Sequence, residues 1–234
     1  MSEHSDPLDW LEAERRQPGA SRVEFRDQLD ACSDKLIELA SAVAGGIMPV
    51  TDALLEADAV AADAYGATDA QVQDGCLALE DACYLLLARQ GPVGRDLRRV
   101  VATIRCVTNV ARASNLLDHV GSSLAWIHPP ALPEQLRRTL RELGEQSSAI
   151  YGRGVRAWRE LDGLAAVELQ RNDDEVDLLQ KVLLTELYTG SQSTEESVSL
   201  ALIARYFERI ADHGVELARQ VAYAVTGQRV PDAP

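Results

Sequence analysis

The sequence predicts an all-α chain: two tandem antiparallel three-helix bundles related by an internal repeat. Three observations carry this. No stretch alternates apolar and polar residues between hairpin turns, as half-buried strands do. Ala and Leu dominate the 46% hydrophobic residues while aromatics are only 5%, which favours helices over sheets. The order of long periodic segment, turn and long periodic segment occurs twice, on either side of His128-Pro129-Pro130-Ala131-Leu132-Pro133.

Residues 1–21 read as a loose polar tail, and the first repeat as 22–128. Residues 22–50 have a helical period, weakened at Gly45-Gly46 and Pro49. A further helical stretch covers 51–65. Thr68-Asp69-Ala70-Gln71 has the form of a capping box opening a helix that runs to about Arg89. Gln90-Gly91-Pro92-Val93-Gly94 is a turn, and 95–120 is periodic with no Gly or Pro. The second repeat covers 133–228. Its first segment, 134–161, is amphipathic and stops at Asp162-Gly163. Asn172-Asp173-Asp174-Glu175 looks like a helix start, with acids where the dipole favours them. Thr189-Gly190-Ser191-Gln192-Ser193 is a turn, and Ser193-Thr194-Glu195-Glu196 is a capping box for the last long helix.

The net charge of −14 is the wrong sign for a nucleic-acid reader or an anionic-lipid binder. It points to cations, or to proteins with basic patches. Cys32, Cys76, Cys83 and Cys106 form no C-x-x-C pair and read as free, reduced, buried thiols. The first 21 residues have no apolar signal-peptide core. The longest uncharged stretch of note, residues 39–51, is too short to span a bilayer. The expectation is a soluble, cytoplasmic protein without direct membrane insertion.

The richest segment is Tyr206-Phe207-Glu208-Arg209-Ile210-Ala211-Asp212-His213. Glu208 and Asp212 are four apart, so on a helix both carboxylates lie on one face, one turn apart. Like charges there repel unless something positive lies between them. Asp173 and Asp177 repeat the spacing on the preceding helix. The midpoint between the two pairs is residue 192.5, inside the turn at 190–193, so an antiparallel hairpin sets the pairs face to face. Four hard oxygen ligands suit a divalent or trivalent ion such as Fe, Zn, Mn or Mg rather than a soft metal. The competing readings are plainer: Asp173 and Asp174 as helix N-terminal acids, Glu208 and Asp212 as solvated charges. The small apolar stripe of Ala201, Ala204, Ala211 and Val215 beside them argues against the second.

In the first repeat the matching positions are Asp69, Gln73, Ala111 and Asn115, and their midpoint falls on Pro92. The register is kept while three of the four carboxylates are gone. Asp96, Arg98 and Arg99, just after that turn, either start a helix or form a tip for partner contact. Arg112 and Arg209 stand next to site positions, where they could neutralise carboxylates on an adjacent helix. His119 and His213 follow the two sites and read as capping or surface residues before ligands. There is no P-loop, dinucleotide fingerprint, H-E-x-x-H or G-x-S-x-G. Catalysis has no visible carrier, so a non-enzyme is expected. A carboxylate-bridged metalloenzyme and a metal-free helical adaptor are the alternatives.

Two segments also carry a resemblance. One runs Leu85-Leu86-Leu87-Ala88-Arg89-Gln90-Gly91-Pro92-Val93-Gly94-Arg95-Asp96-Leu97-Arg98; the other is Phe207-Glu208-Arg209-Ile210-Ala211-Asp212-His213 with the ending 221–227. Together they resemble the PhoU family over residues 22–228. The resemblance implies two three-helix bundles and metal binding through E(D)-x-x-x-D motifs. It also implies a homodimeric cytoplasmic adaptor, peripheral at the inner face of the plasma membrane. Such an adaptor couples the ATPase subunit of a phosphate transporter to a phosphate sensor histidine kinase. It represses the phosphate-starvation response when phosphate is plentiful. Gln73, Ala111 and Asn115 depart from the pattern, so only Asp173, Asp177, Glu208 and Asp212 inherit the metal role.

Overall fold

A first helix that runs unbroken through a proline shows how the core overrides local propensity. The computed structural model describes residues 22–230, and for residues 22 and 171–174 the backbone alone. The tail expected at 1–21 lies outside the described residues. Helix α1, Arg22–Glu56, contains Pro49. Phe25, Leu29, Leu36, Val43, Ile47, Val50 and Leu54 line one stripe and are buried. The ring of Tyr65 packs against Gly46, where a Cβ would overlap it. Its hydroxyl reaches Ser114 Oγ at 3.2 Å. The glycine read as a weakness is therefore a contact that only glycine allows. By length and composition Val23–Glu56 could cross a membrane, but its apolar stripe is the core of the first bundle.

The next boundary differs from expectation. The helix does not open at Thr68. Helix α2 is Ala59–Gln90, and Asp58 is its N-cap, accepting from Ala61 N at 3.0 Å. Ala57 makes the turn at φ 56°, a conformation rare for alanine and therefore hidden from a turn reading that looks for Gly or Asn. Helix α2 ends as expected, with Gly91 left-handed and its N–H on Leu87 O at 3.3 Å. Helix α3 is Gly94–Ser122. Two single turns, Ser123–Ala125 and Pro129–Ala131, cross to the second bundle.

Helix α4, Glu134–Glu160, ends at Leu161 with φ 53°. Helix α5 is Ala165–Thr189, so Asn172-Asp173-Asp174-Glu175 lies inside a helix rather than at its start. The N-terminal-acid reading of Asp173 and Asp174 goes with that boundary. The start signal was Asp162, whose carboxylate accepts from Leu164 N at 2.9 Å. Helix α6, Thr194–Thr226, has the expected capping box: Glu196 N donates to Ser193 Oγ at 3.2 Å, and Ser193 N donates to Glu196 Oε2 at 3.1 Å.

Helices α1, α2 and α3 form one bundle, and α4, α5 and α6 the other. They meet through two repeat-equivalent pairs, α1 with α4 and α3 with α6, and their buried side chains form one continuous core. Arg141 bridges to Asp52 at 2.8 Å across the first pair. All four cysteines are buried and free.

Helices α4 and α6 approach closely at Gly154 and Gly214. A Cβ on Gly154 would overlap the Gly214 carbonyl, and a Cβ on Gly214 would lie 2.5 Å from Tyr151 Cα. Backbone meets backbone there, with no flexible side chain to yield. Gly214→Ala gains about 1 kcal/mol of helix propensity and loses more by forcing the helices apart. The expected result is a net loss of about 2 kcal/mol in urea unfolding; an unchanged or raised midpoint would refute the crossing.

Candidate functional site

The α5–α6 hairpin turns at residues 190–193, where the register of the acids requires. Glu208 sits on the inward side of α6 and is 6% exposed, between the buried residues Phe207 and Ile210 and beneath Ala204 and Ala211. Burial pushes its carboxyl up to about 7; Asp212 adds to this, Arg205 opposes it, and Asp177 on α5 adds further. The structure thus brings Asp177, Glu208 and Asp212 within electrostatic reach of one another. Asp177 and Asp212 are half-buried. The side chain of Asp173 lies outside the described residues. Among the described residues no three His, Cys, Asp or Glu side chains stand close enough to share a metal ion.

Arg205 is the neighbour that sequence reading missed. Its Nη1 lies 2.5 Å from Glu208 Oε2, an ion pair on one helix at the i,i+3 spacing that Arg205-x-x-Glu208 makes legible. The approach is not a hydrogen bond, for Oε2 is buried without a donor. Arg205 is half exposed, so the pair is screened from one side. Arg209 Nη1 is 3.8 Å from Asp212 Oδ2. A buried carboxylate with two acids nearby has the chemistry for a hard cation, while the Arg205 guanidinium already supplies part of that charge.

The first repeat does not offer that fit. Gln73 Nε2 donates to Asp69 Oδ1 at 3.0 Å and to Ala111 O at 2.9 Å. The amide bridges α2 to α3 where the second repeat has only carboxylates, and Asn115 is exposed. The Gln73 amide already donates to the Asp69 carboxylate, so one acceptor there is occupied and one acid of the pair is replaced by a neutral group.

Both histidines have places in the fold. His119 packs against the Tyr206 ring, centroids 5.7 Å apart. His213 is buried and bridges the bundles, its Nδ1 2.9 Å from Asn109 Oδ1. Asn109 Nδ2 donates to Arg105 O at 2.9 Å; Oδ1 therefore accepts, and the proton sits on His213 Nδ1. Burial lowers the imidazole to about 4, with Arg209 and Arg112 adding to it. At the first turn Arg99 Nη2 bonds Asp30 Oδ1 at 2.8 Å and Ser33 Oγ at 3.0 Å, tying α3 to α1. Asp96 lies in the first turn of α3, and Arg98 packs on Gly227 at the end of α6.

A carboxyl with a higher pKa in the folded chain holds more protons when folded. Its contribution to stability is full below about pH 4.5 and is lost as pH rises through about 7. For Glu208 the loss is on the order of 3 kcal/mol. In chelator-treated protein, stability is expected to fall between pH 5 and pH 8. Glu208→Gln should remove most of that slope and be the more stable at pH 8. Parallel urea midpoints for the two proteins across this range would rule out a Glu208 carboxyl raised by burial.

Known proteins are similar to this chain in sequence and in fold. The PhoU domain model matches twice, over residues 36–123 and 140–221. The phosphate-specific transport system accessory protein PhoU homolog 2 of Mycobacterium tuberculosis is 30% identical over 209 residues, 88% of this chain and 98% of its own. Homolog 1 of Mycobacterium leprae is 29% identical, over 88% of this chain and 94% of its own. The crystal structure of PhoU from Pseudomonas aeruginosa superposes with a TM-score of 0.81 at 22% identity, over 87% of this chain and 100% of that one. The phosphate transport system regulatory protein PhoU from Streptococcus pneumoniae gives 0.80 at 20%, over 88% and 99%; both show the fold. With one matched stretch in each bundle and sequence identity sustained over almost the full length of its relatives, the chain belongs to the PhoU family.

Proposed function

We infer that this chain is a negative regulator of phosphate uptake and of the phosphate-starvation response. It would serve as a helical adaptor between the phosphate transporter's ATPase subunit and a sensor histidine kinase. Its relatives are named accessory and regulatory proteins of phosphate transport rather than enzymes, and that naming carries the inference. The adaptor works as a homodimer at the inner face of the plasma membrane, held there by its protein partners. Leu178, Val182, Val198 and Leu202 support this reading: they leave apolar side chains exposed on the α5–α6 hairpin, a surface suited to protein contact. Asp96 and Arg98, at the turn between α2 and α3, are a second place for such contact. A pull-down with the full chain from phosphate-replete cells is expected to recover the ATPase subunit or the kinase; recovery of neither would end the adaptor reading.

The second repeat would hold a metal ion on Asp173, Asp177, Glu208 and Asp212. The undonated, buried Oε2 of Glu208 supports this. The ion would add positive charge beyond that of Arg205 and Arg209, clamping α5 to α6. A competing metal-free reading has its own support, since Arg205 already stands against Glu208. Elemental analysis separates them. Wild-type protein is expected to carry metal that Glu208→Gln/Asp212→Asn loses, and equal content in the two would defeat the metal centre.

A further inference from the structure

The net charge of −14 makes the seam between α3 and α6 unexpected. The two helices run antiparallel there: Arg98 lies against Gly227, the Arg105 guanidinium is 5.9 Å from the Tyr223 ring centroid, and Asn109 meets His213. Arg98, Arg105 and Arg112 are spaced by seven, one face of α3. None of the three makes an ion pair among the described residues. From α6, Arg209 and Arg219 come to the same seam. The acids that answer them are few. Asp212 is 3.8 Å from Arg209. Glu216 is 3.6 Å from Arg219 and also accepts from Gln220 Nε2. Glu80 stands on the α2 side. Positive charge is concentrated where the rest of the chain is acidic.

The concentration is sharpest at Arg112 and Arg209, which are repeat-equivalent residues brought together by the pseudo-symmetric docking of the bundles. Both line a cavity of about 550 Å³ that reaches toward Asn115. Both also line a polar cavity of about 290 Å³ on the side of Asn109 and Asp212. His213 forms part of both walls. Two guanidinium groups opening onto one cavity repel each other unless an anion lies between them. Fork-shaped donors converging from two helices match the oxygens of a tetrahedral oxyanion, which accepts several charge-assisted hydrogen bonds at once.

The geometry points to an oxyanion site at the α3–α6 seam, with Arg112 and Arg209 gripping a free inorganic phosphate between the two repeats. The site borders the α5–α6 carboxylates at Asp212, which lines the smaller cavity beside both arginines, and it does not rest on the adaptor reading. Because it uses one residue from each repeat, occupancy would strengthen the docking of the bundles on each other.

Calorimetric titration of the full chain with inorganic phosphate at low ionic strength tests this. Chelator is kept present so that no metal at Glu208 contributes. Sulfate and ATP are run in parallel. Phosphate is expected to bind and to raise the melting temperature. Arg112→Gln and Arg209→Gln should each weaken binding about tenfold, and the double variant should abolish it. Arg153→Gln on α4, whose guanidinium pairs with Glu168, should leave binding unchanged. Both arginines are solvent-accessible, so the variants should melt near the wild-type temperature without phosphate, and circular dichroism checks that. Sulfate binding at the same residues supports the site as a tetrahedral-anion site. Binding of ATP but not phosphate overturns the free-ion assignment. Binding that survives the double variant, or no binding at millimolar phosphate, overturns the site.

Discussion

Helix α6 packs against α3, α4 and α5 at once, and this enclosure constrains everything around it. A helix with three neighbours has no wide solvent face. Small residues must therefore stand wherever a neighbour comes close, and Ala204, Ala211, Gly214, Ala218 and Ala222 do so. Polar residues on such a helix are forced inward. Glu208, His213 and Gln220 are buried for that reason, and each must find a partner or stay costly. His213 finds Asn109 across the seam. Glu208 finds only an angled ion pair. The unusual chemistry of this helix thus follows from its place in the packing.

The two repeats resolve the same packing problem differently. In the first, an amide at Gln73 joins Asp69 to the Ala111 carbonyl, and neutral hydrogen bonds close the α2–α3 gap. In the second, Glu208 meets Asp177 and Asp212 with Arg205 on the solvent side. The amide-to-carbonyl bond of Gln73 does not titrate, while a buried carboxylate's contribution depends on pH. The scaffold repeats, whereas its electrostatics are one-sided. Even so, the first bundle keeps acids of its own, since burial, Asp69 and Asp63 raise the Asp118 carboxyl.

Much of this was legible from residues. The capping box at Ser193, the turn at Gly91 and the register of the acids about residue 192.5 each rest on short-range chemistry, and the hairpin formed as they required. The missed boundaries have a different character. Ala57 adopts a left-handed turn without Gly or Asn, and α1 continues past Pro49 because its whole stripe is buried. Asn172-Asp173-Asp174-Glu175 carries a helix-start composition inside a helix, where the packing of Ala166, Leu169 and Val176 decides the conformation instead. At the site, Glu208 and Asp212 stood out by spacing, and Arg205 could have been added by the same rule. The Asn109–His213 bridge joins positions 104 residues apart, which no local pattern encodes.

The seam is where those long-range terms concentrate, and its composition is hard to explain by folding alone. Arg105 is accounted for by its stacking on Tyr223, and Arg98 by its packing on Gly227. Arg112 has no such role, and Arg209 has only its 3.8 Å pair with Asp212; both open onto cavities, so shortening either would cost the core little. Residues that add electrostatic strain without adding packing are retained where something outside the chain compensates them. In a protein this acidic, a counter-ion arriving from solution is the partner that the arrangement leaves room for.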